Sequence, residues 1–193
     1  MRSRGGRRIV RDELVTLAHG AGGKATRDLV EGLFLVELGN EALRPLGDAA
    51  IVGGAARLAF TTDSYVVRPL VFPGGDIGEL AVYGTVNDLA MAGATPRWLS
   101  AGFVIEEGFP IADLRRIAAS MGRAAQRAGV AIAAGDTKVV ERGKADGLYV
   151  TTAGIGVLPD GVDLGPHRVR EGDRVILSGT LADHGMAVLV ARG

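Results

Sequence analysis

Two spacings of apolar residues divide the chain into helices and strands. Apolar residues recur at helical spacing in 24–38 and again in a segment that begins at Pro110 and closes at Gly129. A third helix is predicted over 77–92, where apolar residues lie nearly all round and indicate burial, with Asp76 as its N-cap. The glycine-rich turn before Asp76 separates this helix from what precedes it.

Segments rich in β-forming residues alternate with these helices. They predict strands over 57–67, 97–108, 130–135 and 147–158. A Pro- and Gly-containing linker then covers 159–172, and 173–181 is predicted to be a further strand, followed by a helix. One strand and one helix cannot bury their own apolar faces. We therefore expect 15–158 to form one domain, 159–172 a linker, and 173–193 the start of a second, truncated domain.

Composition narrows the class of protein. Hydrophobic residues make up 47% of the 193 residues and charged residues 23%, which is typical of soluble globular proteins. Lys plus Arg and Asp plus Glu number 22 each, so no overall field favours nucleic acid or an anionic membrane as a partner. Residues 1–14 carry five arginines and are predicted to be a flexible basic tail. No cysteine occurs, which excludes a thiol nucleophile on this chain and fits a cytoplasmic protein.

Four aspartates share an unusual setting, since each lies in or beside an apolar segment next to small or polar residues. They are Asp48, Asp63, Asp88 and Asp136. An isolated carboxylate is costly to bury unless it is paired or binds a cation. Carboxylate oxygens favour a hard ion such as Mg²⁺, which in proteins often accompanies phosphates. A turn or a cap accounts for most of these aspartates taken singly, but Asp88 lies inside a predicted helix, where no cap is needed.

The stretch "LAHGAGGKAT" (17–26) is a glycine loop leading into the first helix. Its backbone amides, the helix N-terminus and Lys24 suit an anionic group. It is not a Walker P-loop, because Ala18 and Ala25 stand where that motif needs Gly and Ser or Thr. On composition alone, a flexible connector explains the loop equally well.

Taken in order, several motifs resemble one family. "HGAGGK", "DSYVV", "FPGGDIG", "NDLAMAGATP", "GDTKVV" and "GTLADHG" are similar to the HypE family of hydrogenase maturation factors. That family is part of a superfamily of ATP-binding enzymes that includes aminoimidazole ribonucleotide synthetase and thiamine-monophosphate kinase. The resemblance extends from about residue 15 to the end of the chain. Ala182 departs from it, since the family usually has Gly there.

The resemblance implies an α+β fold of the PurM type. Its N-terminal domain would carry a mixed or antiparallel sheet with helices, and the strands of two copies would close into a barrel in a homodimer. ATP and Mg²⁺ would bind in a cleft near that interface. The first strand and helix of an α/β C-terminal domain would follow.

The resemblance also implies an activity, the ATP-dependent dehydration of a protein-bound thiocarboxamide to a thiocyanate, from which the cyanide ligands of [NiFe] hydrogenase are made. Expected partners are the carbamoyltransferase HypF and the HypC–HypD complex. The site residues it implies are the metal ligands Asp48, Asp63, Asp88 and Asp136, the nucleotide contacts His19, Gly20, Gly22, Gly23, Lys24, Asn87 and Thr137, and the catalytic Lys138. Lys138 would stabilise negative charge or carry a proton.

Two other functions stay open at this point. The family's acceptor cysteine is absent here, so the chain could be a non-catalytic dimerisation or scaffold fragment. A superfamily relative that phosphorylates a small molecule, such as thiamine monophosphate, is the second alternative, although "FPGGDIG" argues against it.

Overall fold

The computed structural model describes residues 23–29, 31–32, 45–46, 50–52 and 57–193. The chain divides into two compact units, Met1–Leu46 and Gly47–Gly193. Across the described segments, no helix combines the length and apolarity needed to cross a bilayer.

The described elements include helices and strands of very different lengths. In chain order they are α1 (Lys24–Leu29), β1 (Ala50–Val52), β2 (Leu58–Tyr65), β3 (Val71–Phe72), β4 (Gly75–Asp76), α2 (Ile77–Met91), β5 (Thr95–Glu106), α3 (Ile111–Ala128), β6 (Ala131–Val140), β7 (Leu148–Val157), a 3-10 helix (Pro166–Arg168) and α4 (Asp183–Arg192).

Five strands of the second unit form one mixed sheet in the order β1-β2-β7-β5-β6. β5 and β6 are parallel, and the other pairs are antiparallel. β3 and β4 form a separate hairpin whose last residue, Asp76, leads into α2. The mixed sheet with helices that the family resemblance implied is confirmed.

Helices α2 and α3 cover one face of the sheet, which we call the inner face. α2 packs on β2, β7 and α3. Alternate residues of β7, such as Leu148, Val150 and Thr152, are buried beneath them. The opposite, open face carries the cross-strand row Phe60–Ile155–Trp98, in which Phe60 is 43% exposed and Trp98 is 48% exposed. The core therefore lies between the helices and one side of the sheet.

The helix ends agree with the sequence. Asp76 caps α2 by accepting hydrogen bonds from the amides of Gly78 (2.8 Å) and Glu79 (3.0 Å). Gly129 ends α3 with φ 68°, the left-handed conformation that favours glycine, and the amide of the next residue, Val130, bonds back to the Ala125 carbonyl at 3.0 Å. Both predicted helices are confirmed, and α2 ends one residue earlier than predicted, at Met91.

Two strand predictions differ from the structure. The strand predicted over 130–135 continues to Val140, because parallel pairing with β5 satisfies its backbone through the Asp136 segment. The strand predicted over 173–181 does not form. A strand needs a partner, and no described strand pairs with this segment, whose Val175 and Ile176 are 97% and 86% exposed. The helix after it, α4, is confirmed.

Candidate functional site

Asp63 and Asp88 approach each other where α2 crosses β2. Asp63 lies on β2 in the alternating set Thr61–Asp63–Tyr65, so all three share the inner face. Asp88 lies near the end of α2, and its Oδ2 accepts a hydrogen bond of 3.0 Å from the Thr61 hydroxyl. Both carboxylates act on the phenol of Tyr65 through their charge. Two of the predicted metal ligands are thus brought to one place.

A chain of buried hydroxyls leads from this pair into the core. The Tyr65 and Thr85 hydroxyl oxygens lie 3.4 Å apart, and those of Thr85 and Thr152 lie 2.6 Å apart. Thr152 donates to the carbonyl oxygen of Ala81 at 3.1 Å. Burial raises the pKa of Tyr65, and the negative charge of Asp63 raises that pKa further. The phenol is therefore neutral throughout the physiological range.

Asp136 lies elsewhere. The strand register runs from Asp63 on β2 through Thr152 on β7 and Ala101 on β5 to Gly135 on β6. These four register partners therefore share the inner face. The next residue, Asp136, therefore points to the open face. Three strand spacings also separate β6 from β2, which amounts to about 14 Å. A single chain does not bring Asp136 to Asp63 and Asp88.

The remaining described candidates are dispersed. Lys138 lies two residues beyond Asp136 on the same open face and is exposed, and Thr137 lies between them, opposite Phe103 in register. Asn87 is exposed on α2. The structure therefore places Lys138 beside Asp136 and apart from the Asp63–Asp88 pair.

The glycine loop is described only at its end. Gly23 precedes α1, which begins at Lys24 as predicted, and both residues are exposed. His19, Gly20, Gly22 and Asp48 lie outside the described residues.

The donor chemistry of the Asp63–Asp88 pair suits a magnesium ion, because both groups offer carboxylate oxygens. Within the segments that the structure describes, no three His, Asp or Glu side chains come together in an arrangement that could hold a metal. The pair thus fits part of a metal site, to which further ligands would have to come from the nucleotide, water or another segment.

Sequence reasoning missed Tyr65 and the hydroxyls of Thr61, Thr85 and Thr152. A tyrosine or threonine in a strand is an ordinary core residue, so composition gives no warning. The available signal was the spacing Thr61–Asp63–Tyr65, which places three polar groups on one face of a strand.

A second electrostatic feature holds the loop after β6. Both carboxylate oxygens of Glu106 accept backbone amides, Oε1 from Gly143 at 2.6 Å and Oε2 from Gly147 at 3.0 Å. These bonds favour the ionised form and lower the pKa of Glu106. Glu106 thereby fixes the segment that joins β6 to β7.

Comparison with known proteins defines the class. Residues 46–158 match the family described as AIR synthase related protein, N-terminal domain. The chain belongs to this family, and its fold is the PurM-like fold that the family resemblance implied.

Within that family the chain is similar to HypE. It is 59% identical to the carbamoyl dehydratase HypE of Bradyrhizobium diazoefficiens, over 95% of this chain and 53% of that protein. The HypE–HypF complex has a TM-score of 0.81 at 53% identity, over 85% of this chain and 53% of the matched chain. HypE in complex with ATP has a TM-score of 0.70 at 48% identity, over 93% and 53% respectively. The chain spans about half the length of the curated relatives it matches.

Proposed function

We propose that this chain supplies the ATP-binding half of an ATP-dependent carbamoyl dehydratase that takes part in hydrogenase maturation. The observation that carries the proposal is the position of two of the four metal-ligand candidates, Asp63 and Asp88, on the contacting elements β2 and α2 at the inner face of the sheet. The similarity of the chain to HypE in a crystal structure with ATP supports the same proposal.

The proposed reaction uses ATP to make the carbamoyl oxygen a leaving group. That oxygen attacks the γ-phosphorus, and ADP leaves. Loss of two N–H protons and of inorganic phosphate then converts S–C(=O)–NH₂ into S–C≡N. A bound Mg²⁺ would neutralise phosphate charge, and Asp63 and Asp88 would hold it. Asp48 and Asp136 are proposed as further ligands from the family resemblance.

Lys138 is proposed as the catalytic residue. Its ammonium group would stabilise charge on the phosphates or move a proton from the amide nitrogen. Asn87 and Thr137 would add polar contacts to the nucleotide. From the family resemblance, His19, Gly20, Gly22, Gly23 and Lys24 are proposed as further nucleotide contacts.

We further propose that the working unit is a homodimer. β1 and β6 lie at the ends of the described sheet, and the open face between them exposes the Phe60–Ile155–Trp98 row. A second copy that closes the barrel would cover this row. Because one chain keeps Asp136 apart from the Asp63–Asp88 pair, the second copy would also have to help in completing the site. HypF and the HypC–HypD complex are proposed as partners by family.

Calorimetric binding of ATP, with and without Mg²⁺, tests the proposal on this chain and on Asp88→Asn. Binding that depends on Mg²⁺ and is lost in the variant supports a nucleotide site at the aspartate pair. ATP binding that ignores both Mg²⁺ and the substitution contradicts it, and no binding by either protein favours a scaffold role.

Mixing two inactive variants tests the shared site. If each site takes Asp63 from one copy and Asp136 from the other, re-associated Asp63→Asn and Asp136→Asn chains should recover about a quarter of the wild-type binding, since half of the dimers are mixed and one of their two sites is intact. A site built within one chain would recover none.

A further inference from the structure

Thr61 joins strand β2 to Asp88 through a buried hydroxyl. The Thr61 side chain is only 6% exposed, and its Oγ1 lies 3.0 Å from the Oδ2 atom of Asp88. An ionised carboxylate can only accept a hydrogen bond, so the hydroxyl is the donor. Valine has the same branched shape and suits a buried strand position equally well. Packing alone therefore does not explain the hydroxyl.

The close packing of α2 on the sheet brings these two residues within reach of each other. Gly154 on β7 is the register partner of Thr61 and lies on the same inner face. A Cβ added at Gly154 would lie 2.8 Å from the Cγ2 of Thr85 and 3.0 Å from the Cδ1 of Leu89. Thr85 and Leu89 precede and follow Asp88 on α2. The helix therefore rests on bare strand backbone at the level of Thr61, which sets the distance between Thr61 and Asp88.

Asp88 lies where helix electrostatics disfavours a carboxylate. It belongs to the last turn of α2, which contains no basic residue, and its carbonyl oxygen accepts the amide of Ala92 at 3.2 Å. The C-terminus of a helix carries partial negative charge, so an anionic side chain is unfavourable there. Residues that break a local rule of this kind are expected at functional sites. The needs of the helix itself therefore do not account for Asp88.

The hydrogen bond from Thr61 also sets the direction in which the Asp88 carboxylate faces. Engaging Oδ2 selects one rotation of the carboxylate about its Cβ–Cγ bond. Asp63 lies two residues beyond Thr61 on β2, so the side chains of Thr61 and Asp63 project from the same face of the strand. The bond thus holds the Asp88 carboxylate towards the strand that carries Asp63. Hydrogen-bond partners of this kind orient metal ligands and tune their affinity.

We propose that Thr61 is a positioning residue, whose hydroxyl holds the Asp88 carboxylate in the orientation that binds the cation accompanying the nucleotide. This inference rests on the proposed function, because it assigns Thr61 to the same metal site. In this role Thr61 acts through Asp88 and does not itself contact ATP or the substrate. Removing the hydroxyl should weaken metal binding about tenfold, the low end of the range for partners of metal ligands.

The test measures Mn²⁺ binding to the 193-residue chain with ATP present, from the electron paramagnetic resonance signal of free Mn²⁺. Thr61→Val removes the hydroxyl and keeps the shape, Thr61→Ser keeps the hydroxyl and removes the methyl group, and Asp88→Asn removes the charge of the ligand. Thr62→Val is the matched control, because the Thr62 hydroxyl donates to the Thr152 carbonyl oxygen at 3.1 Å and Thr62 faces the other side of β2. The melting temperature of every variant is measured as well.

The expected result is that metal affinity follows the hydroxyl and stability follows the buried methyl group. Mn²⁺ affinity should fall about tenfold in Thr61→Val, and Thr61→Ser and Thr62→Val should keep most of it. The melting temperature should fall in Thr61→Ser, which loses a buried methyl group. A merely structural role would move affinity and stability together. If Thr61→Val does not fold, Thr61→Ala gives the same comparison, since it also lacks the hydroxyl.

The outcomes that would overturn the inference differ in what else they overturn. Wild-type Mn²⁺ affinity in Thr61→Val, with affinity lost in Asp88→Asn, removes the role of Thr61 and keeps the metal site. Wild-type affinity in Asp88→Asn, or no Mn²⁺ binding by the wild-type chain, removes both the role of Thr61 and the proposed metal site. Equal losses of affinity in Thr61→Val and Thr61→Ser, in step with their melting temperatures, assign Thr61 to packing only.

Discussion

Replacing Asp76 by alanine should destabilise the domain more than an ordinary N-cap loss would. The Oδ1 atom of Asp76 accepts three hydrogen bonds, from the amides of Gly78 and Glu79 and from the Ser120 hydroxyl at 2.6 Å. Asp76 is 7% exposed and Ser120 is 2% exposed, so water cannot replace the lost acceptor. The contact also joins α2 to α3, on which the inner face depends.

The magnitude follows from adding the two losses. Loss of an N-cap acceptor costs about 1 kcal/mol, with a range of about 0.5–2 kcal/mol. A hydrogen bond to a charged group is worth about 1.5–3 kcal/mol. Ser120 keeps its contact with the Ile117 carbonyl at 2.9 Å, which reduces the second loss. The expected cost in the free energy of unfolding is therefore about 2–4 kcal/mol.

Urea unfolding followed by circular dichroism measures this cost. With a slope of about 2–3 kcal/mol/M, the midpoint should fall by about 1 M with no change in slope. Asp76→Asn is the matched control, because its amide oxygen can still accept, and it should retain more than half of the stability that alanine loses. If Asp76→Ala unfolds within about 0.5 kcal/mol of the wild type, the cap and the Ser120 bond do not act as the geometry indicates.

Three further substitutions follow from the structure. Glu106→Gln should speed hydrogen exchange at the amides of Gly143 and Gly147. Because the folded-state pKa of Glu106 is lowered, the wild type should keep these two hydrogen bonds at neutral pH and lose them as the pH falls through that pKa. Hydrogen exchange that neither the substitution nor the fall in pH changes would refute the role of Glu106 in holding this loop. Ala182→Gly should stabilise the chain by about 1 kcal/mol in a thermal melt, because Ala182 has φ 66°, and an unchanged melt would mean that this strain is absent. Gly154→Ala should destabilise the chain by about 1–3 kcal/mol, since the new Cβ would lie 2.8 Å from the Thr85 Cγ2. An unchanged free energy of unfolding would mean that the packing between α2 and β7 can adjust to the added methyl group.

Much of the fold was predictable because local chemistry fixes its boundaries. Asp76 ends its helix by accepting amide hydrogen bonds, and Gly129 ends its helix by adopting a left-handed conformation. Both effects depend on the residue type itself, so the sequence alone indicates these two helix ends. The continuation of β6 beyond residue 135 was not predictable, because "GDTK" resembles a turn and only pairing with β5 makes it extended. The failed strand over 173–181 has the converse cause, since its β-forming residues have no described partner.

The candidate site was also predictable only in part. Asp88 was singled out as a polar residue inside a helix, and in the structure its carboxylate accepts a hydrogen bond from the Thr61 hydroxyl of β2. The direction in which Asp136 points was not predictable, because it depends on how far β6 extends and on the register across β7 and β5. The surroundings of Tyr65 were not predictable, because Gly84 and Thr85, which its hydroxyl approaches, belong to another element.

The division of the candidates between two faces links assembly to chemistry. Trp98 shares the open face with Asp136 and Lys138, since Gly102, the register partner of Asp136, lies on the same side of β5 as Trp98. A partner that covers the Phe60–Ile155–Trp98 row would therefore also set the surroundings of Lys138 and lower the local dielectric there. In the proposed dimer, the reactivity of Lys138 is a property of the assembly and not of the single chain. In that dimer, closing the barrel would therefore also determine the chemistry of the open face.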